Sequence, residues 1–308
     1  MKFKETKKVL ITGGRGFVGT NLSYYLKKNG IDFSFLSIRA DTKLDSSVLN
    51  GYQTIVHLSG KAHDLKKSSL YQEYYEANFS TTKKLFDVFV RSDASKFVFI
   101  SSVKAVSDNP GNIIMTEDHF PDPVTDYGKT KLLAEKYVLS QPITNDKRCY
   151  ILRPCMIHGP GNKGNLNLLY KMAVTGLPFP LGAFDNQRSF LTVENLCFVI
   201  CQLITRDIAS GIYNIADETP LSITRLMEII SEETAKPSRI LHVNKKIILL
   251  LARLGDILHF PFNSERLKKL TENYVISSDK LTEALKCKLP VSAEDGLRNT
   301  IKSFAHDL

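Results

Sequence analysis

Val9-Leu10-Ile11-Thr12-Gly13-Gly14-Arg15-Gly16-Phe17-Val18-Gly19 begins as an apolar run and ends in glycines, and an amphipathic stretch from Leu22 to Lys28 follows it. A short apolar run bounded by glycine reads as a buried strand, and the stretch after it as a helix. A strand that turns through glycines into a helix is suited to a dinucleotide pyrophosphate. Gly13 and Gly16 let the backbone turn and approach phosphate, Gly19 lets helix and strand pack closely, and the helix amino end attracts the anion. The spacing is GxxGxxG rather than GxGxxG. Its position between strand and helix, more than the glycines themselves, carries the reading.

Outward from this loop, strand-like runs at Lys8 to Thr12, Phe33 to Ile38, Thr54 to Leu58, Lys96 to Ser101 and Tyr150 to Arg153 alternate with helical patterns at Tyr71 to Arg91 and Gly128 to Leu139. Such alternation predicts an α/β fold, a doubly wound parallel (Rossmann) sheet with a smaller α/β substrate-binding lobe at its C-terminal side. The expected division is a dinucleotide-binding domain over residues 1–158, to which 187–215 return, and a substrate lobe over 159–186 and 216–308. The polar segment between Arg39 and Gly51 is too short for a full crossover helix, so a truncated one is expected there.

Composition narrows the classes. The chain has 308 residues, 43% hydrophobic and 24% charged, enough for one large core and a smaller one. A net charge of +9 raises nucleic acid as a partner, but the lysines are scattered rather than gathered into an aromatic-interleaved stripe. A cleft for a doubly phosphorylated small molecule explains the charge without nucleic acid. Five cysteines, an odd number with no CxxC pair, argue against a disulfide framework and a zinc site, and no metal is expected. The charged start from Met1 to Lys8 lacks the apolar stretch of a signal peptide, giving a cytoplasmic expectation. The most apolar stretch, Lys246 to Leu258, is interrupted by Arg253 and Asp256 and is too short for a bilayer span. It is expected to pack inside the smaller lobe, ahead of a subunit or peripheral membrane contact.

Cofactor choice turns on the end of the second strand, where a carboxylate would bind the ribose 2′-hydroxyl of NAD. That position falls near Ser37, and no acid stands there. Arg15 and Arg39 could instead clamp a 2′-phosphate, so NADP is favoured over NAD. Leu58-Ser59-Gly60, closing the third strand, suits backbone passing close to the cofactor.

Tyr127 and Lys131 lie four apart in a helical segment and share a face. Bringing a phenol from a pKa of about 10 to about 7 takes roughly 4 kcal/mol, which an adjacent ammonium in a partly dry cleft can largely supply. Ser102, at a strand end, is placed to hydrogen-bond the substrate oxygen beside Tyr127.

Together with Val56-His57-Leu58-Ser59-Gly60, Asn78 opening a helix, Leu152-Arg153-Pro154 leading to His158-Gly159-Pro160-Gly161, and Arg188-Ser189-Phe190-Leu191-Thr192-Val193, these residues resemble the extended short-chain dehydrogenase/reductase family of nucleotide-sugar epimerases, dehydratases and reductases. The resemblance implies Tyr127 as acid/base, Lys131 as its partner and holder of the nicotinamide ribose, and Ser102 as the orienting hydroxyl. It implies cofactor contacts at Gly13, Arg15, Gly16, Phe17, Val18, Gly19, Arg39, Leu58, Ser59, Gly60, Lys131 and Pro154, and substrate contacts at Asn165 and Arg188 as well as Ser102 and Tyr127. It also implies a UDP-sugar substrate and a possible homodimer. Val103-Lys104 after Ser102 replaces the Asp-Glu pair that a 4,6-dehydratase needs. Ser101-Ser102-Val103-Lys104 and Asn186-Gln187-Arg188-Ser189-Phe190 resemble the bacterial surface-polysaccharide branch. The expected reaction is reduction of the C4 ketone of a UDP-4-keto-6-deoxy-N-acetylhexosamine. A UDP-hexose or UDP-N-acetylhexosamine 4-epimerase is the alternative, and a non-catalytic dinucleotide-sensing protein the remote one.

Overall fold

The computed structural model describes residues 8–39, 41–62, 70–162, 165–176, 178–234, 239–260 and 262–305. In chain order its elements are β1 (Val9–Thr12), α1 (Phe17–Lys28), β2 (Phe33–Leu36), β3 (Thr54–His57), α2 (Tyr71–Tyr74), α3 (Thr81–Arg91), β4 (Lys96–Ile100), β5 (Ile114–Met115), α4 (Asp126–Ser140), β6 (Arg148–Pro154), β7 (Met156–His158) and α5 (Asn165–Val174). Then come β8 (Phe190–Thr192), α6 (Val193–Thr205), β9 (Gly211–Ile215), α7 (Ile223–Thr234), α8 (Lys245–Leu258), α9 (Ser264–Thr271), β10 (Val275–Ile276), α10 (Asp279–Leu285) and α11 (Ala293–Ala305).

Six parallel strands form one sheet in the order β2-β1-β3-β4-β6-β9. Strands with helices on both sides must be apolar on both faces, and β1 and β3 are buried throughout. On one face, Leu22 and Leu26 of α1 pack with Leu196, Ile200 and Leu203 of α6. On the other, Leu85, Phe86 and Phe89 of α3 pack with Ala134 and Val138 of α4. A third cluster, around Leu226, Ile229, Ala252 and Leu297, joins α5, α7, α8 and α11 and shares no residue with the other two. The strand order reverses between β1 and β3, so their carboxyl ends open on one crevice, where ligands bind in such sheets.

The doubly wound parallel sheet is thus the one the sequence predicts. The truncated crossover is as expected, and three local features differ. The Arg39 to Gly51 crossover shrinks to a 3₁₀ turn, Ser46–Leu49, capped by Asp45 accepting from Ser47 N at 2.7 Å. β2 stops at Leu36, two residues before Ile38. The Tyr71 to Arg91 helix carries a π turn at Tyr75–Ser80, so Asn78 lies inside a helical run instead of opening one. The parallel pairs β5 with β10 and β7 with β8 have too few residues for a periodic signal.

Candidate active site

Contacts too close to admit a side chain join the glycine loop to the end of β3. Gly13 has φ +71°, and a Cβ there would come within 2.8 Å of Ser59 N and 2.9 Å of the Leu58 carbonyl carbon. A Cβ on Gly19 would lie 2.4 Å from the Gly13 carbonyl oxygen, so α1 can press onto the loop only as glycine. Gly16 caps α1 without a side-chain hydrogen bond, and no acid stands in the first turn. The first turn of α1, which begins at Phe17 and Val18, therefore has no side-chain cap of its own, as an anion-binding helix start requires.

Beneath the loop, Thr12 Oγ1 accepts from Ser59 N at 3.2 Å and meets His57 Nδ1 at 2.7 Å, while His57 Nε2 meets Thr82 Oγ1 at 2.9 Å. Burial, reinforced by the charge of Lys131, pushes His57 down to about 3, so it works as a neutral strut. The strut leads toward Lys131 on α4. A Cβ on Gly60 would sit 2.8 Å from Asn78 Oδ1 and 3.2 Å from Lys131 Nζ. Asn78 accepts from Lys61 N at 2.8 Å and donates to Thr130 Oγ1 at 3.2 Å, clamping the loop after β3 onto α4. Gly13, Leu58, Ser59, Gly60 and Lys131 are thereby one contiguous wall.

The remaining cofactor candidates divide. Pro154 ends β6 at the carboxyl edge of the sheet. Arg15 and Arg39 are exposed, and neither makes an ion pair among the described residues. Arg39 is tied only through its backbone, N–H to Thr42 Oγ1 at 2.8 Å. Ser37 is exposed just past β2, while the Phe35 ring lies over Gly14, where a Cβ would approach Cδ1 to 2.0 Å.

The start of α4 is aimed by Asp108, whose carboxylate accepts from Val124 N and Thr125 N, each at 2.8 Å, and from Thr125 Oγ1 at 2.9 Å. Thr125 in turn caps Gly128 N at 3.2 Å. A Cβ on Gly128 would stand 2.3 Å from the Lys104 carbonyl oxygen, so glycine lets the helix abut the turn that Ser102 caps. Ser102 is the neighbour whose side chain favours the ionised Tyr127 phenol, and Tyr74 stands edge-on to the Tyr127 ring at 6.4 Å between centroids.

The electrostatics correct one expectation. Burial raises the Tyr127 phenol above its ordinary value, the Ser102 hydrogen bond opposes this, and Glu135 and Tyr74 add to the rise. Lys131 is turned to a different partner. Its ammonium donates to the Ile100 carbonyl at 2.8 Å, above the Phe99 ring, and its own pKa falls to about 8 through burial, with Glu135 opposing. The protein's own groups therefore hold Tyr127 as a proton-bearing phenol beside Ser102.

One turn beyond Lys131, Glu135 forms a buried pair with Arg153: Nε to Oε1 at 3.0 Å, Nε to Oε2 at 3.1 Å and Nη2 to Oε2 at 2.6 Å. Ser101 Oγ also donates to this carboxylate. Arg153 Nη1 is buried with no partner. Sequence reading missed Glu135, Asn78 as a clamp, and Gly128. Only the spacing of Tyr127, Lys131 and Glu135 on one helix face could have pointed to the first.

Arg188 lies apart from this wall. It bridges Leu221 and Tyr274, donates from Nη1 to the Lys269 carbonyl and stands 3.7 Å from Glu272 Oε1. Tyr274 connects the two regions, its hydroxyl donating to Ser107 O at 2.6 Å. Asn165 opens α5, but its side chain lies outside the described residues. Among the described residues no group of His, Cys, Asp or Glu is arranged to hold a metal ion.

This geometry agrees with what the chain is similar to. A UDP-glucose 4-epimerase of Vibrio cholerae is 28% identical over 98% of this chain and 96% of its own length. The N-acetyl-alpha-D-glucosaminyl-diphospho-ditrans,octacis-undecaprenol 4-epimerase of Escherichia coli O157:H7 is 26% identical over 97% and 96%. Among solved structures, MoeE5 in complex with UDP-glucuronic acid and NAD superposes with a TM-score of 0.76 at 20% identity, covering 98% of this chain and all of its own, which supports the fold. Residues 9–216, from the first strand of the sheet through its last, match a single family description, and the protein is accordingly an enzyme of the NAD dependent epimerase/dehydratase family.

Proposed function

We propose that the protein reduces the C4 ketone of a nucleotide-linked sugar, a UDP-4-keto-6-deoxy-N-acetylhexosamine, with NADPH as the favoured reductant. The observation that carries this reading is the placement of Tyr127, with Ser102 acting on its phenol, on the helix whose Lys131 closes the wall against Gly60. When bound, the dinucleotide supplies the hydride that C4 receives. Ser102 orients and polarises the ketone oxygen, and Tyr127 gives its proton to that oxygen, so the carbonyl becomes a secondary alcohol. Lys131 holds the ribose hydroxyls, and the amides at the start of α1 hold the pyrophosphate. Arg15 and Arg39, which are exposed and make no ion pair among the described residues, support a 2′-phosphate, as does the absence of an acid at Ser37. The region around α5, α7 and Arg188 serves as the substrate lobe, with Arg188 toward the diphosphate, and the enzyme works in the cytoplasm.

Net 4-epimerisation is the second reading, favoured by the two curated relatives that match almost the whole chain. The name of the Escherichia coli relative extends the substrate class from nucleotide-linked to polyprenol-diphosphate-linked sugars. One experiment separates the two reactions. Reduction predicts that purified protein consumes NADPH only when given the keto sugar, and that Tyr127→Phe loses turnover by about a hundredfold or more while still binding the dinucleotide. Stoichiometric NAD⁺ released on denaturation, with interconversion of C4 epimers and no net consumption of cofactor, would establish the epimerase instead.

A further inference from the structure

The stretch expected to be packed away is packed on one side only. Ile248, Ala252 and Gly255 of α8 face the third core cluster, and a Cβ on Gly255 would come 1.9 Å from the Phe262 carbonyl oxygen, which fixes the helix's roll. On the opposite side, Ile247, Leu250, Leu254, Ile257 and Leu258 recur at intervals of three and four, with exposures from 44% at Leu254 to 71% at Ile257. Phe260, just past the helix, is 58% exposed and extends the same patch. A continuous apolar face of this kind marks an interaction surface.

We propose that α8 is an interfacial helix that seats the protein on an anionic phospholipid bilayer. Its fourteen residues span about 21 Å, short of the roughly 30 Å a bilayer core requires, so it would lie in the interface rather than cross it. Lys246 and Arg253 project beside the apolar arc, Lys245 stands at the helix start, and exposed Lys268 lies on α9, which packs against α8. The acids nearby are engaged within the protein: Asp256 accepts from Ser264 N at 3.0 Å, and Glu265 pairs with Lys269 at 2.9 Å. A cationic margin around an apolar face complements anionic headgroups over acyl chains. The same margin disfavours a second copy of the chain, because a two-fold contact would bring basic flanks together. The seat also has a consequence for the site. The carbonyl of Lys269, on α9, receives the Arg188 hydrogen bond, so the bilayer would lie one helix away from that guanidinium. The inference rests on this surface alone and does not need the C4 reading.

The test is co-sedimentation of the full chain with vesicles of phosphatidylcholine alone and of equimolar phosphatidylcholine and phosphatidylglycerol. Binding is expected to the anionic vesicles and to weaken with added salt. The double variant L250E/I257E, at exposed positions, should weaken it at least about tenfold, and K246E/R253E should abolish the preference for anionic lipid. Protection of residues 245–260 from hydrogen exchange on adding vesicles gives a second readout in the unmodified chain. No binding to either vesicle overturns the proposal. So does L250E/I257E turning a dimer into a monomer with vesicle binding unchanged, which would assign the face to a second copy.

Discussion

Replacing Glu135 by glutamine removes the charge that neutralises Arg153 and supports Lys131, and the structure sets the size of both effects. Glu135 and Arg153 are buried, with side-chain exposures of 1% and 3%, and the carboxylate receives Nε and Nη2 of the guanidinium. Nη1 already has no partner, so the change leaves a buried cation with little to hold it. Breaking one side of such a pair costs about 3–5 kcal/mol, whereas replacing both members by apolar residues of similar volume is often neutral or stabilising. Urea denaturation should therefore show E135Q less stable by about 3–5 kcal/mol and the double variant E135M/R153M recovering most of the loss. A readout that packing alone would not move accompanies this. Glu135 raises the pKa of Lys131, so its loss should shift the alkaline limb of the activity profile to lower pH. E135Q within about 1 kcal/mol of the parent protein, or a double variant weaker than the single one, would refute the reasoning.

Lys131 titrates at about 8, so kcat/KM measured against pH should decline as pH rises through that value, well below the ordinary lysine range. A lysine whose folded pKa is depressed binds fewer protons than the unfolded chain between about 8 and about 10.5, so its contribution to stability should rise with pH across that window, by about 3 kcal/mol, as denaturation at successive pH values can check. Gly19→Ala forces a Cβ to 2.4 Å from the Gly13 oxygen, which is backbone and cannot step aside. Calorimetry should show dinucleotide binding lost or weakened by about a hundredfold or more, and binding within threefold of the parent would contradict the close approach. The joint variant R15A/R39A should raise KM for NADPH by about tenfold or more and leave KM for NADH nearly unchanged; equal effects on both would remove the case for a 2′-phosphate site.

How much could be read beforehand depended on whether a signal was local. The parallel sheet was legible because Val9 to Thr12 and Thr54 to His57 are apolar runs bounded by glycine or polar residues, and doubly buried strands must be so. The glycine loop and Leu58-Ser59-Gly60 could each be picked out from their small residues, but the contact of Gly13 with Leu58 and Ser59 could not. Nor could other partnerships across long separations. Asn78 reaches Thr130 over fifty-two residues, and Gly128 is small because of Lys104, facts no periodicity contains. The electrostatic expectation for Tyr127 went astray for a related reason. Helical spacing placed Lys131 on the right face but said nothing of the Ile100 carbonyl that takes its ammonium, nor of the burial that dominates both pKa values.

The third core cluster shares no side chain with the two that sandwich the sheet, so sequence drift there is insulated from the groove. Ile229 and Leu297 lie in that cluster, whereas the strut through His57 and the Asn78 clamp do not. That separation lets side chains at one end of the molecule change while the packing beneath the glycine loop at the other stays intact.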